Sequence, residues 1–319
     1  MSRPMRLSLD PIALDRNGLS AAQTITAGSL SPILNGTLAS GYDLDAVCLA
    51  QTTAAEADLV LSGVKAGGVG WLRGTEERLV FTSASSNTAI TYAIVGLDKR
   101  GNRVTETLTG SAASQKVFSA NSYWEVISIR ASGAVTGNVT VGLNGVATFT
   151  TPQHITVWTT SDESSATITV TGTDRNGSAQ TEDITGPGAS ATVAGVKNFA
   201  TVTHIVTTLA ATGFEIGVDG LCESAWLPID YNIRHFNAGL SVDISSGAVL
   251  TYTVQHTFDD VYSSTFVEST AATHNHDSMA AQTISADGNY TNPPVATRID
   301  LTAYTSGSLN YNVIQSGGV

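Results

Sequence analysis

The chain has 319 residues, of which 42% are hydrophobic and only 13% charged, and its formal charge is −12. That length divides into two or three domains with cores of their own, and a composition rich in Thr, Ser, Ala, Val and Gly predicts an all-β protein of short strands and Gly-bearing turns. The acidic excess repels phosphate backbones and anionic lipid surfaces, which excludes nucleic-acid binding and membrane attachment as main roles.

Residues 1–70 read as an extended N-terminal arm plus the opening strands of a first sandwich. Asp15-Arg16-Asn17-Gly18 carries turn chemistry, Ala46 to Val64 suggests two strands, and Gly63 to Gly70 reads as a hinge. No apolar stretch follows Met1 to Pro11 and no run approaches 18 apolar residues, so neither a secretory signal nor a transmembrane span is expected. Synthesis and retention in a cytoplasm are expected, with Cys48 and Cys222 as buried, reduced thiols rather than a disulfide.

An internal duplication organises the chain beyond the arm. The segment from Gly96 (GLDKRGNRVTETLTG) recurs from Gly172 (GTDRNGSAQTEDITG), which superposes Asp98 on Asp174, Gly101 on Gly177 and Glu106 on Glu182. Leu79 and Phe81 fall on Ile155 and Val157, and Val126 and Ile129 on Val202 and Ile205. After the loss of one residue, Gly142 and Gly145 fall on Gly217 and Gly220. Alternation of large apolar with small residues, as in Ile90 to Ile94, predicts strands with one buried face. Asp98 to Asn102 and Asp174 to Gly177 predict hairpin turns, in which Asp bonds its own backbone and Gly takes a positive φ. Six short strands in each copy describe sandwiches of immunoglobulin-like size over 71–146 and 147–228.

A third β-sandwich is expected over 229–319, after a linker at Trp226 to Asp230. Its strands are marked by Leu240, Val242 and Ile244, by Leu250 to Phe258, by Ile299 to Ala303 and by Leu309 to Val313. Between them, His274 to Pro294 reads as one long polar loop.

Residues with chemistry are few. His274-Asn275-His276-Asp277, with His256, Asp259 and Asp260, would suit a divalent metal if both imidazoles faced one way, but a polar loop tip accounts for them, and no metal or other cofactor is expected. Asp98 and Asp174 lack the alternating oxygen ligands of a calcium loop. Four Asn-x-Ser/Thr sequons, at Asn35, Asn138, Asn176 and Asn289, reflect Thr-rich composition. Glu106 and Glu182 occupy equivalent places in separate repeats, as surface strand residues rather than as an acid/base pair across a cleft. With no nucleophile elbow or phosphate loop, the chain reads as a non-enzyme. Among the aromatics, Trp71 and Trp226 are placed at module junctions. Tyr262, Phe266 and Tyr290, together with His274 and His276, are the candidate protein-contact residues.

The segments ITVTGTDRNGSAQTEDITGPGASATVAGVKNFATVTHI, GFEIGVDGL, SAWLPID, LTYTVQHTFDDVY, HNHDSMAAQTISADGNYTNPPVATRIDL and VIQSGG together resemble structural proteins of tailed-bacteriophage particles, from about Glu77 onward. The resemblance implies tandem immunoglobulin-like sandwiches, a place in the virion after assembly in the host cytoplasm, other tail, fibre or capsid subunits as partners, and a homo-oligomer of this chain in the particle. A tail or collar adaptor joining fibres to the tail suits three unlike modules plus an arm. A capsid decoration (cement) protein is the alternative. A glycan-binding or glycan-cleaving receptor-binding protein is a further one, from another class. A bacterial surface adhesin would need an export signal.

Overall fold

The computed structural model describes residues 5–9, 11–25, 34, 36–40, 42–66, 70–71, 76–209, 211–232 and 236–315. Strands make up 58% of the chain, and the described residues contain no α-helix, only a short 3-10 turn at Glu268–Thr270. Among the described residues every pairing is antiparallel, and six sheets face each other two by two around three separate hydrophobic cores. Sheets pair this way because each strand alternates a buried with an exposed face, as in Thr167–Thr173 and Arg103–Thr109.

The first sandwich is built around Phe81, Tyr92 and Tyr123. One of its sheets runs Lys116–Tyr123, Glu77–Ser83, Val135–Leu143, Asp43–Thr53; the other runs Ala57–Asp58, Glu125–Ala131, Thr91–Leu97, Arg103–Thr109. The middle sandwich repeats the plan around Phe199 and Phe214. Its sheets are Ala179–Thr185, Thr167–Thr173, Phe199–Thr207, Val146–Gln153, Ala39–Ser40, and Thr192–Ala194, Ile155–Trp158, Ala211–Val218, Asp15–Ile25. The duplication is kept at the level of register. Leu143 faces Leu79 and Val141 faces Phe81 in the first sandwich, while Val218 faces Ile155 and Ile216 faces Val157 in the middle one.

The third sandwich packs Tyr252 and Tyr311 between the sheets Met5–Leu9, Leu309–Gln315, Ala238–Ile244, Ala286–Tyr290 and Cys222–Glu223, Ala296–Ser306, Val249–Thr257, Thr273–Asn275. It begins before the linker expected at Trp226 to Asp230. Cys222–Glu223 and Leu227–Pro228 both pair with Ala296–Ser306.

The N-terminal segment has a different place from the one expected of it. It supplies the first sandwich with Asp43–Thr53 and Ala57–Asp58, but it also runs through the other two sandwiches in reverse order. Met5–Leu9 pairs with Leu309–Gln315, Asp15–Ile25 with Ala211–Val218 and Asp43–Thr53 with Val135–Leu143. The last strand of every sandwich is thus closed by a strand of the arm. Asp15 to Gly18, expected as a turn, starts the second of these strands, and Leu19 beside it is fully buried. The two donors read DRNGLSAAQTI and DLDAVCLAQTT and sit in one register: Val218 faces Asp15 and Ala211 faces Ile25, as Leu143 faces Asp43 and Val135 faces Thr53. The matched glycines Gly142 and Gly217 make this possible. A Cβ at Gly142 would overlap the carbonyl oxygen of Asp43, and one at Gly217 that of Asp15.

The hairpin turns form as their composition predicts. Asp98 Oδ1 accepts from the amides of Arg100 and Asn102, both at 2.8 Å, and Asp174 Oδ1 from those of Asn176 and Ser178 at 2.8 and 2.9 Å. Gly101 and Gly177 take φ of 81° and 79°. Hydrogen bonds to the ionised form, from the Asn102 side chain first and then from the backbone amides, hold the Asp98 carboxyl below its usual range. The residues 67–69 of the expected hinge and the Trp71 side chain lie outside the described residues.

Candidate functional site

A dense polar cluster lies where the middle sandwich meets the third. The turn after Thr167–Thr173 carries Arg175 outward, and the loop between Val249–Thr257 and Thr273–Asn275 brings Phe266, Val267 and Glu268 against it. Arg175 donates from Nη2 to the backbone oxygen of Glu223 at 2.6 Å and from Nε to Glu268 Oε2 at 3.2 Å. Asn198, on the middle sandwich, donates to Glu223 Oε2 at 3.1 Å and accepts the Glu223 amide at 3.1 Å. Glu223 is gripped from its other side by Arg298, whose two Nη atoms reach its carboxylate oxygens at 2.5 and 2.7 Å. The Arg298 guanidinium also bonds Gln255 at 2.9 Å and lies over the Trp226 ring at 4.5 Å.

Burial raises the Glu223 carboxyl above its ordinary range, and Arg298 draws it back only in part. Burial first, then the charge of Arg298, bring the His154 imidazole down to about 4. The first junction has an analogous arrangement. His204 of the middle sandwich meets the Phe118 ring at 5.6 Å, and burial, then the charge of Arg78, press it down to about 3. Arg78 is the repeat equivalent of His154.

Beside this clasp opens a cleft of about 410 Å³, lined on one wall by Asn176, Gln180 and Asn198 and on the other by Phe266, Val267 and Glu268. A smaller hollow of about 170 Å³, between Trp226, Tyr262 and Phe266, adjoins it. Exposed apolar side chains rim the area: Tyr262 is 71% exposed, Val267 55% and Val196 77%. Of the three carboxylates that line it, Glu223 and Glu268 are engaged by guanidinium groups, and Asp174 accepts the amides of its own turn.

The five contact candidates separate into two groups. Tyr262 and Phe266 stand at this junction. His274, His276 and Tyr290 lie together elsewhere on the third sandwich, gathered by His256. His256 faces His274 across the ladder, with rings 5.6 Å apart, and the Tyr290 hydroxyl bonds His256 Nδ1 at 3.2 Å. His276 packs on Tyr290 at 4.9 Å, its Nε2 3.1 Å from the Asn289 carbonyl and its Nδ1 accepting the Ser278 amide at 3.3 Å. Only His274 of these three is exposed; His276 and Tyr290 are buried and serve as packing. His274 to Pro294 is not one open loop, since it contains the end of Thr273–Asn275, the strand Ala286–Tyr290 and the fully buried Met279. Among the described residues no three His, Cys, Asp or Glu side chains are grouped to hold a metal ion, and no helix is long and apolar enough to cross a membrane.

Glu106 and Glu182 are more than surface strand residues. Glu182 is buried and accepts the amides of Val196 and Lys197 at 2.6 and 3.2 Å; Glu106 accepts those of Ala120 and Asn121 at 2.6 and 2.9 Å. Each ties a neighbouring segment through its backbone amides. Cys48 and Cys222 are free, fully buried, and raised to about 12 by that burial.

Sequence reasoning missed Arg175, Glu223, Glu268 and Arg298. The available signal was their rarity: with so few charges, an Arg inside an apolar strand such as ATRIDL asks for a buried partner. Comparisons with protein-family models, with curated proteins and with solved structures gave no match.

Proposed function

We propose that this chain is a non-enzymatic structural protein of a tailed-bacteriophage particle, a tail or collar component that joins fibres to the tail. The observation that carries the reading is the threading of one arm through three sandwiches, with an ion-paired clasp at the second junction. Such a body resists bending and sliding, because displacing one module means breaking a ladder and a buried charge network together. An adaptor that transmits force between unlike neighbours needs that property, and the acidic, Thr-rich surface and the repeated sandwich supply adhesive loops and edges. The rim of Tyr262, Val267 and Val196 is the face assigned to a neighbouring subunit.

Particles assembled with the gene disrupted test it. The adaptor reading expects filled heads and tails that lack fibres. Heads that burst or leak while fibres stay attached would move the protein to the capsid surface as cement.

A glycan-binding role is the second reading, favoured by the exposed Asn176 side chain that lines the cleft with Phe266. Titration of the whole chain with host-surface oligosaccharides would support it by saturable binding lost in Asn176→Ala.

A further inference from the structure

We propose that the N-terminal arm is exchangeable between copies, so that Met5–Leu9 and Asp15–Ile25 of one chain close the third and middle sandwiches of a second copy of the same chain.

Four observations carry this. First, both donors are edge strands. Among the described residues, Met5–Leu9 pairs with Leu309–Gln315 on one side alone, and Asp15–Ile25 with Ala211–Val218 on one side alone. An edge strand can leave or enter without reordering the rest of its sheet. Second, the slots are generic. The donors of the middle and first sandwiches share an opening Asp and an Ala-Gln-Thr, and they take the same register against glycines that serve the same purpose. Each slot takes one of two related segments in one register, and the identical segment of a second copy presents the same residues to it. Third, the chain order separates donor from slot. Leu9 meets Leu309, and Asp15 meets Val218, so the arm is made first and its slots last. Until then the donor strands are unpaired while neighbouring chains complete theirs. Fourth, residues 26–33 separate Asp15–Ile25 from the buried Leu34, and extended chain from Ile25 to Leu34 spans roughly 30 Å, enough to reach a molecule packed alongside.

Exchange preserves the contacts of the donor strands. Leu9 and Leu19 remain buried, the Gly36 amide still meets the Leu19 carbonyl and the Leu38 amide the Gly18 carbonyl, each now belonging to the other copy. The balance between closed monomer and exchanged dimer is therefore set by local concentration, the condition under which domain swapping is a low-cost route to assembly.

The test uses full-length variants. Ser8 and Asn310 are directly opposed and hydrogen-bonded at 2.6 Å, and neither side chain belongs to a core. Ser8→Cys and Asn310→Cys, made separately with tags of different mass, are unfolded, mixed at high concentration, refolded and oxidised. The doubly substituted S8C/N310C chain runs alongside as the measure of in-chain pairing. The proposal expects a mixed disulfide joining the two tagged chains, rising in yield with concentration, in a dimer that unfolds at the temperature of the closed monomer. If the double variant bridges within one chain while the mixture gives only unbridged monomers or like-with-like disulfides, the arm closes its own chain alone and the proposal falls. Arg6 and Asn312, opposed in the same ladder, provide an independent pair with the same two outcomes.

Discussion

Arg175 and Glu268, ninety-three residues apart, form the ion pair that spans the middle and third sandwiches, Nε to Oε2 at 3.2 Å with both side chains largely shielded. Arg175 also holds the Glu223 carbonyl, so one guanidinium ties the turn of one module to two elements of the next. Arg175→Ala leaves a shielded carboxylate and a carbonyl without their donor and is expected to weaken docking by about 2 kcal/mol. Calorimetry should show the thermal transition splitting, with the third sandwich melting apart from the other two. Arg175→Lys should recover less than half of the loss, because an ammonium cannot reproduce the planar fork.

The carboxylate of Glu182 supports a loop from inside the strand Ala179–Thr185. Glu182→Ala strands the Val196 and Lys197 amides and should cost about 2 kcal/mol, with Glu182→Gln recovering part of it. Urea titration measures both. A loss within experimental error for the alanine variant would show that water replaces the carboxylate freely.

Gly217 gives the arm its approach to the middle sandwich. Gly217→Ala sets a methyl against the Asp15 carbonyl and should displace Asp15–Ile25, with a loss of about 2 kcal/mol by overpacking. Amide hydrogen exchange should then quicken in residues 15–25 while the core strand Thr167–Thr173 keeps its protection.

The two junction histidines give the molecule an acid limit. Folded, His154 titrates near 4 and His204 near 3, against 6.5 for the free side chain. Both folded values are depressed, so the unfolded chain binds protons that the folded chain refuses. This contribution to stability is complete above about pH 6.5 and is lost as pH falls toward 4 and then 3. By about pH 5 each site should have withdrawn about 2 kcal/mol. Melting temperatures followed from about pH 7.5 to about pH 4.5 should fall steeply, and His154→Gln with His204→Gln should flatten that fall.

The repeat could be read in the sequence because its signals are local. Asp98 and Gly101, like Asp174 and Gly177, sit four residues or fewer from the atoms they bond, and the alternation around Ile94 and Val170 needs no partner to be seen. The arm could not be read in this way. Its strands pair far along the chain, Met5 with Val313, Asp15 with Val218 and Asp43 with Leu143, and Asp15 to Gly18 has the residue types of a turn although Leu19 is a core residue. The matched Gly142 and Gly217 were visible as repeats, but their reason, an approaching backbone, is a tertiary fact. The same holds for the site. Tyr262, Phe266 and Tyr290 all stand out as aromatics that flank a polar loop, but Tyr290 is buried with His256 and His276 packed around it while Tyr262 is exposed. The clasp itself depends on Arg175, Glu223, Glu268 and Arg298 meeting across a module boundary, and no spacing along the chain announces that.

Whether this chain bridges parts of a phage tail, as proposed, is decided by its copy number in purified particles, measured by quantitative mass spectrometry against the major capsid protein. A few to a few dozen copies is the predicted result. Hundreds of copies, or none, would contradict it.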